Sequence, residues 1–169
     1  MSIEVLVTYG SSRGGTSGIA TLIAEALRGA GVKATVRDAA EVGSLDGFDA
    51  VVLGGALYAT RWHRAAVWFA RRHARALRKR PVWLFSSGPL DDSASEDAIE
   101  PTRQVAAIAE RLGARGHRTF GGVLDPDTHG WLAGKMAAGG LAGDHRDAEA
   151  IRAWGREIAA ELVEEAAVF

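Results

Sequence analysis

Hydroxyl groups and glycines are concentrated in residues 9–17, which read YGSSRGGTS. This stretch lies between an apolar run that predicts a strand and a pattern that predicts a helix. Small residues let a ligand approach the backbone, hydroxyls can donate hydrogen bonds, and a helix N-terminus offers unpaired N–H groups with a positive partial charge. A simple helix cap needs only one such residue. The stretch therefore indicates a loop that binds a phosphate group.

Three other motifs compete for this loop. A Walker A motif requires Lys and then Ser or Thr after its second glycine, whereas Gly15 is followed by Thr16. The dinucleotide pattern G-x-G-x-x-G has no match in the loop. Residues 10–14 do match G-x-S-x-G, the nucleophile elbow of hydrolases, but the nine residues before Gly10 leave no room for an oxyanion loop.

Alternating elements must position this loop. Apolar runs rich in β-branched residues predict five strands, at Ile3–Tyr9, Lys33–Val36, Ala50–Leu53, Pro81–Phe85 and His117–Val123. Helical patterns predict four helices: residues 19–27, Trp62–Leu77, Pro101–Leu112 and a last helix from about Asp147. Gly113 stands where a C-terminal glycine cap of the third helix belongs. Residues 39–48 leave room for little more than one turn. This order predicts an α/β fold with a five-stranded parallel sheet and helices on both faces.

Ligands of such sheets bind beyond the carboxyl ends of the strands. The loops after Tyr9, Leu53 and Phe85 are therefore the candidate binding loops. Residues 7–23 fit the pattern V-x-Y-x-S-x-x-G-x-T-x-x-x-A-x-x-I. This pattern resembles the flavodoxin signature, although Thr8 stands where that family usually has an aliphatic or aromatic residue. The resemblance covers nearly the whole chain and implies one flavodoxin-like domain over 1–169, a strand order of 2-1-3-4-5 and FMN as cofactor.

The resemblance also implies which residues hold FMN. In the phosphate loop they are Ser11, Ser12, Arg13, Gly14, Gly15 and Thr16, with Arg13 either contacting the phosphate or facing solvent. The second loop, residues 54–63, would contact the ring through Ala56, Leu57 and Tyr58. Tyr58 occupies the stacking position, and an ordinary exposed aromatic is the alternative. The third loop would offer Ser86, Ser87 and Gly88 to the polar ring edge. It lacks a second stacking aromatic, which leaves one ring face open. The phosphate loop alone does not distinguish FMN from a deazaflavin.

The composition limits the kinds of chemistry that the protein can perform. The 169 residues contain no cysteine, which excludes disulfides, thiolate catalysis and Cys-bound metal centres. No metal-ligand spacing links the five histidines, so no metal site is expected, and only His63 lies near a candidate loop, where it could assist proton transfer. The N-terminal residues lack a secretory pattern, and the charge-free runs are too short to span a membrane, so we expect a cytoplasmic protein.

The charge is unevenly distributed along the sequence. Residues 61–80 hold seven Arg, one Lys, two His and no acid, whereas the rest of the chain has 12 basic and 21 acidic residues. Such runs are often only solvated helix faces. Here the run follows the second loop and suggests an anionic partner: a small planar substrate, an acidic redox protein or an acidic lipid surface. Nucleic acid is not expected, because no aromatic-rich sheet motif is present.

Two functions follow from these features. The layout and the run GDHRD at 143–147 resemble the flavodoxin-domain branch that contains the menaquinone-dependent protoporphyrinogen oxidases. This resemblance implies an FMN oxidoreductase that passes electrons to a quinone. In those oxidases the segment after the fifth strand, here the long connection 124–146, is more hydrophobic and more basic. The alternative is a non-enzymatic FMN electron carrier. The oxidase hypothesis is favoured here by the basic helix and by this long connection.

Overall fold

A computed structural model describes residues 2–11, 15–88, 101–121 and 142–168. The strands are β1 (Glu4–Gly10), β2 (Lys33–Asp38), β3 (Ala50–Tyr58), β4 (Arg61–Trp62), β5 (Val82–Gly88) and β6 (Gly116–Gly121). The helices are α1 (Gly15–Gly29), α2 (Arg64–Arg72), α3 (Ala74–Arg78), α4 (Arg103–Leu112) and α5 (Ala142–Ala167). A single 3₁₀ turn, Ala39–Glu41, follows β2 and fills the short connection that the sequence predicts.

The sheet has the order β2-β1-β3-β5-β6, and all of these pairs are parallel. This confirms the predicted flavodoxin-like α/β fold and its strand order. The two-residue strand β4 was not predicted: it pairs antiparallel with the end of β3 and makes a sixth strand.

The sheet is covered on both faces, as the continuously apolar central strands indicate. One core contains the buried face of α1 and that of α5, with Phe85, Phe120 and Trp154 packed edge to face at ring-centroid distances of 5.7–6.4 Å. The other core contains α2, α3 and α4, with Phe69, Leu77 and Leu112 fully buried. The central strands β1, β3 and β5 therefore send alternate side chains into two separate apolar layers.

Several element boundaries differ from the prediction. The expected helix over Trp62–Leu77 begins only at Arg64, because Trp62 belongs to β4, and it is interrupted at His73, which has non-helical backbone angles. Pro101 lies outside α4, whose N-cap is Thr102, and Gly113 ends α4 in the left-handed conformation as expected. The last helix begins at Ala142 instead of about Asp147. Most of the predicted long connection lies outside the described residues.

Candidate functional site

The three candidate loops start from neighbouring points of the sheet. Gly10, at the end of β1, pairs with Gly55 of β3, and Gly55 pairs with Ser86 of β5. Because all three strands are parallel, their carboxyl ends lie at one edge. The structure thus brings together the strand ends from which the sequence-predicted site residues follow.

The N-terminus of α1 lies beside this edge. Helix α1 begins at Gly15, five residues after β1 ends, and has no acidic residue in its first turn. Ser11 follows β1 directly and is half-buried, while Thr16 is buried in the first turn of the helix. Ser12, Arg13 and Gly14 lie outside the described residues. Hydroxyl donors and a helix N-terminus without carboxylates suit a phosphate dianion, so this donor set fits the phosphate of FMN.

The second loop is a β-hairpin. Residues 54–58 were expected to form a loop but continue β3, and the chain turns at Ala59, whose φ is 60°, before returning as β4. Leu57 pairs with Trp62, and Tyr58 pairs with Arg61. Ala56 is buried, whereas the Tyr58 side chain is 45% exposed. An exposed aromatic ring at this edge fits the predicted stacking position for a flavin ring.

His63 lies next to the Tyr58 ring, with a centroid separation of 5.9 Å and a tilt of 55°. Its Nδ1 accepts a hydrogen bond of 3.1 Å from the Ala65 backbone N–H and so caps the N-terminus of α2. This Nδ1 therefore carries no proton in the capped state, and a proton exchanged by the neutral ring would be the one on Nε2. The predicted proximity of His63 to the site agrees with this geometry, and its role in proton transfer stays a prediction.

The third loop also begins later than expected. Ser86, Ser87 and Gly88 are the last residues of β5 and pair with β6 through Thr119, Phe120 and Gly121. Ser86 is 1% exposed, and Ser87 is buried as well. The ladder extends this far because the strands on both sides of β5 continue to the same edge. The third loop proper, from residue 89, lies outside the described residues.

The hydroxyl of Ser86 belongs to a buried polar chain. It accepts a hydrogen bond of 2.9 Å from the indole N–H of Trp62, and its oxygen lies 2.9 Å from Nε2 of His117. The backbone N–H of Trp62 donates to Oε1 of Gln104 at 2.8 Å. These contacts join the hairpin that carries Tyr58 to β5, β6 and α4. The hairpin is therefore held by hydrogen bonds at both the backbone and the side chain of Trp62, and the side-chain bond is buried.

Burial keeps His117 neutral. Desolvation by burial, with a smaller contribution from the charge of Arg118, lowers the pKa of His117 from 6.5 to about 4. Its Nδ1 is buried and has no hydrogen-bond partner within the described ranges. A polar nitrogen left in this state is costly, and it is more costly still when charged. His117 thus acts as a neutral partner of Ser86 across the working pH range of most proteins.

The glycines at this edge serve side-chain packing. A Cβ atom at Gly54 would lie 2.0 Å from the Phe85 ring, and one at Gly55 would lie 2.6 Å from the Trp62 ring. A Cβ at Gly10 would lie 2.5 Å from the backbone nitrogen of Ala66 in α2. These distances are too short for any side chain. In the sequence these glycines suggest the close approach of a ligand. In the structure they are required because aromatic rings of the protein and helix α2 pack against them.

Sequence reasoning did not identify Trp62, Gln104 and His117 as residues that build the site. Their contacts span 24 to 42 residues of sequence, so no local pattern contains them. The register of β5 and β6 is the signal that could have identified His117. In this register His117 pairs with Leu84, and Leu84 lies on the same face of β5 as Ser86, two residues further on.

Comparison with known proteins identifies the family. A model of the flavodoxin domain matches residues 6–137, and the chain belongs to this family. No curated protein sequence matches it. Membership in the family implies a flavoprotein that binds FMN and takes part in electron transfer.

Solved structures share the fold. Rubredoxin oxygen:oxidoreductase from Desulfovibrio gigas is similar with a TM-score of 0.70 at 16% identity, over 97% of this chain and 37% of that protein. This chain therefore corresponds to about a third of that enzyme's length. An archaeal flavodoxin gives 0.63 at 14% identity, over 94% and 98% of the two chains. The flavodoxin of Streptococcus pneumoniae gives 0.61 at 15%, over 94% and 99%.

In the described part of the chain, no helix has the length and hydrophobicity that crossing a membrane requires. No group of three or more His, Asp or Glu side chains in the described ranges is placed to hold a metal ion.

Proposed function

We propose that the protein binds FMN at the carboxyl edge of its sheet and exchanges electrons with a redox partner. The observation that carries this proposal is the meeting of β1, β3 and β5 beside the N-terminus of α1, with no acid in its first turn. Ser11, Thr16 and the N-terminal N–H groups of α1 would hold the phosphate, and Tyr58 would lie against the ring. FMN, when bound, supplies one-electron and hydride chemistry.

This chain's residues position the cofactor and shield it. The hydrogen bonds of Trp62 fix the hairpin, so that Tyr58 is presented at a defined place. Ser86 and Ser87 are buried where β5 reaches this edge, which limits the access of water to them. We retain the cytoplasm as the expected compartment, since a chain without cysteine needs no oxidising environment.

Ser17→Asp in the first turn of α1 tests the phosphate site. A carboxylate at a helix N-terminus favours the helix but repels a phosphate dianion at the same place. We expect S17D to keep or raise thermal stability, to weaken FMN binding on the order of tenfold, and to leave binding of riboflavin, which lacks the phosphate, unchanged. Flavin fluorescence quenching measures both affinities.

Thr21→Asp, one turn further along α1, is the matched control because it adds the same charge outside the first turn. It should change FMN affinity much less than S17D. Equal affinity of the wild-type protein for FMN and riboflavin would contradict the phosphate site, and absence of flavin binding would refute the proposed function. The mass and absorbance spectrum of the cofactor that co-purifies with the protein distinguish FMN from a deazaflavin.

A second candidate is an FMN oxidase of protoporphyrinogen type with a quinone acceptor. It is favoured by the cationic residues beside Tyr58, which suit the carboxylates of a planar anionic substrate, and Arg61 lies directly opposite Tyr58 in the hairpin. Turnover of protoporphyrinogen with a menaquinone analogue by the FMN-loaded protein would establish this activity. Fast electron exchange with a reductase and no turnover would leave the electron carrier.

A further inference from the structure

A surface groove runs between α2 and α4, beside the hairpin. Its larger part has a volume of about 690 Å³ and is lined by residues of β4, α2 and Gln104. A smaller cavity of about 130 Å³ adjoins it, since both are lined by Arg61, Val67, Arg71 and Gln104, and it extends to Arg111 of α4. We call the two together the α2–α4 groove.

The groove is cationic and contains an apolar centre. Four arginines line it: Arg61, Arg64, Arg71 and Arg111. No Asp or Glu is among its lining residues, and within the described ranges none of these four guanidinium groups pairs with a carboxylate. Between them the ring of Trp68 is 63% exposed. Exposed Trp and Arg together are the residue types that most often anchor protein interfaces.

The spacing of these side chains favours an extended partner. Arg64, Trp68 and Arg71 stand at positions i, i+4 and i+7 of α2 and so share one helix face. The two arginines are therefore about 10 Å apart along the helix axis. The cationic and apolar groups are therefore spread along the helix, which suits a protein surface with several carboxylates around an apolar side chain better than a single small anion.

The charge of the remaining chain restricts the size of the partner. Apart from residues 61–80, the chain has 12 basic and 21 acidic residues. A long polyanion such as RNA would reach beyond the groove toward a remainder of net negative charge, which disfavours it, whereas a compact acidic surface can contact the groove cations alone. The groove also adjoins the proposed flavin edge, because Arg61 is the cross-strand neighbour of Tyr58.

We propose that the α2–α4 groove docks an acidic redox protein, with Trp68 as the apolar anchor and Arg61, Arg64, Arg71 and Arg111 as the carboxylate contacts. The docking rests on the proposed function only in that the docked protein exchanges electrons with FMN. The contact itself depends on charge and shape and needs no flavin.

Charge reversal at two sites of the same segment tests the docking. Arg71 lines the groove, whereas Arg75 is exposed in α3 and does not. R71E and R75E change the net charge of the protein equally, and each lies in the last turn of its helix. The probe is a labelled peptide in which glutamates flank a central phenylalanine, and its glutamine analogue is the control. Fluorescence anisotropy measures binding to the whole chain.

We expect R64E and R71E to weaken peptide binding on the order of tenfold, and R75E to change it less than about twofold. W68A should weaken it without altering its salt dependence. Raising the ionic strength from about 0.01 M to about 0.15 M shortens the Debye length from roughly 30 Å to 8 Å and should weaken wild-type binding. The same order of variants is expected for the rate at which the FMN-loaded protein reduces an acidic iron–sulfur protein.

Equal losses in R71E and R75E would overturn the proposal, because charge alone and not the groove would then govern binding. Tighter binding of an RNA homopolymer, or displacement of the peptide by a small porphyrin dicarboxylate at lower concentration, would also overturn it. If the protein fails to bind FMN while R71E and R75E still differ in peptide binding, the docking site stands and the proposed flavin function falls.

Discussion

Replacing His117 by glutamine should remove a loss of stability that the wild-type protein suffers as the pH falls below about 6.5. Burial lowers the pKa of His117 from 6.5 to about 4 in the folded protein. The unfolded chain therefore takes up the proton more readily than the folded chain. The stability contributed by the neutral ring is complete above pH 6.5 and is lost progressively between 6.5 and about 4, with no further loss below.

The size of this effect follows from the two pKa values. The interval from 6.5 to about 4 corresponds to roughly 3 kcal/mol in full, of which about 2 kcal/mol is lost between pH 7 and pH 5. Glutamine does not titrate, and its amide can still serve as a partner for Ser86. We expect the free energy of unfolding of H117Q to fall about 2 kcal/mol less than that of the wild type over this range.

Urea denaturation at several pH values between 7 and 5, followed by circular dichroism, measures these free energies. Burial and Arg72 also lower the pKa of His73, so H73Q is the matched control: it should remove only its own smaller contribution and keep that of His117. Glu165, whose pKa is lowered by its hydrogen bond to Arg115, loses its contribution at lower pH and is common to all three proteins. Parallel curves for H117Q and the wild type would refute the assignment of a buried, neutral His117.

Two other substitutions test the packing of the site. Gly54→Ala places a Cβ 2.0 Å from the Phe85 ring and should destabilise the protein by about 1–3 kcal/mol. Gly18→Ala adds a Cβ in open space within α1 and should stabilise the protein by about 0.5–1 kcal/mol. Thermal unfolding measures both effects, and equal effects would contradict the close packing at Gly54. Trp62→Phe keeps an aromatic ring of smaller size but removes the N–H that Ser86 accepts, so the free energy of unfolding should fall by at least about 1–2 kcal/mol. FMN affinity should fall with it, and unchanged FMN affinity would show that this bond does not position the hairpin.

The order of the elements was predictable because burial on both faces produces continuous apolar strands. Val51 and Val82 lie in such runs and pair directly in the central sheet. The ends of the strands were less predictable. Gly54 and Gly55 are typical of a loop, but they continue β3 and pair with β1 and β5. They are glycines because the rings of Phe85 and Trp62 occupy the space where their side chains would stand. Only the tertiary packing shows why these two positions must be glycine.

The start of α2 shows the same limit. A helical pattern begins at Trp62, yet the structure uses Trp62 for a strand pair and a buried hydrogen bond. The N-cap is His63, a residue type that is not among the usual capping residues. The hydrogen-bonded series Trp62, Ser86 and His117 could be predicted only with the register of β5 and β6, which neither composition nor local spacing contains.

In the fold, the basic side chains of segment 61–80 make different kinds of contact. Arg80 donates to the backbone carbonyls of Phe48, Ala76 and Leu45, and Arg78 donates to the carbonyl of Arg111 at the end of α4. These two guanidinium groups bind backbone carbonyls of the turn before β3 and of the ends of α3 and α4, so their charge serves the fold. Arg64 and Arg71 make no such bonds within the part of the chain that the structure describes, and both line the α2–α4 groove. The proposed docking of an acidic partner therefore depends on the groove-lining arginines and not on the total charge of the segment, and this is why charge reversals at Arg71 and Arg75 should differ.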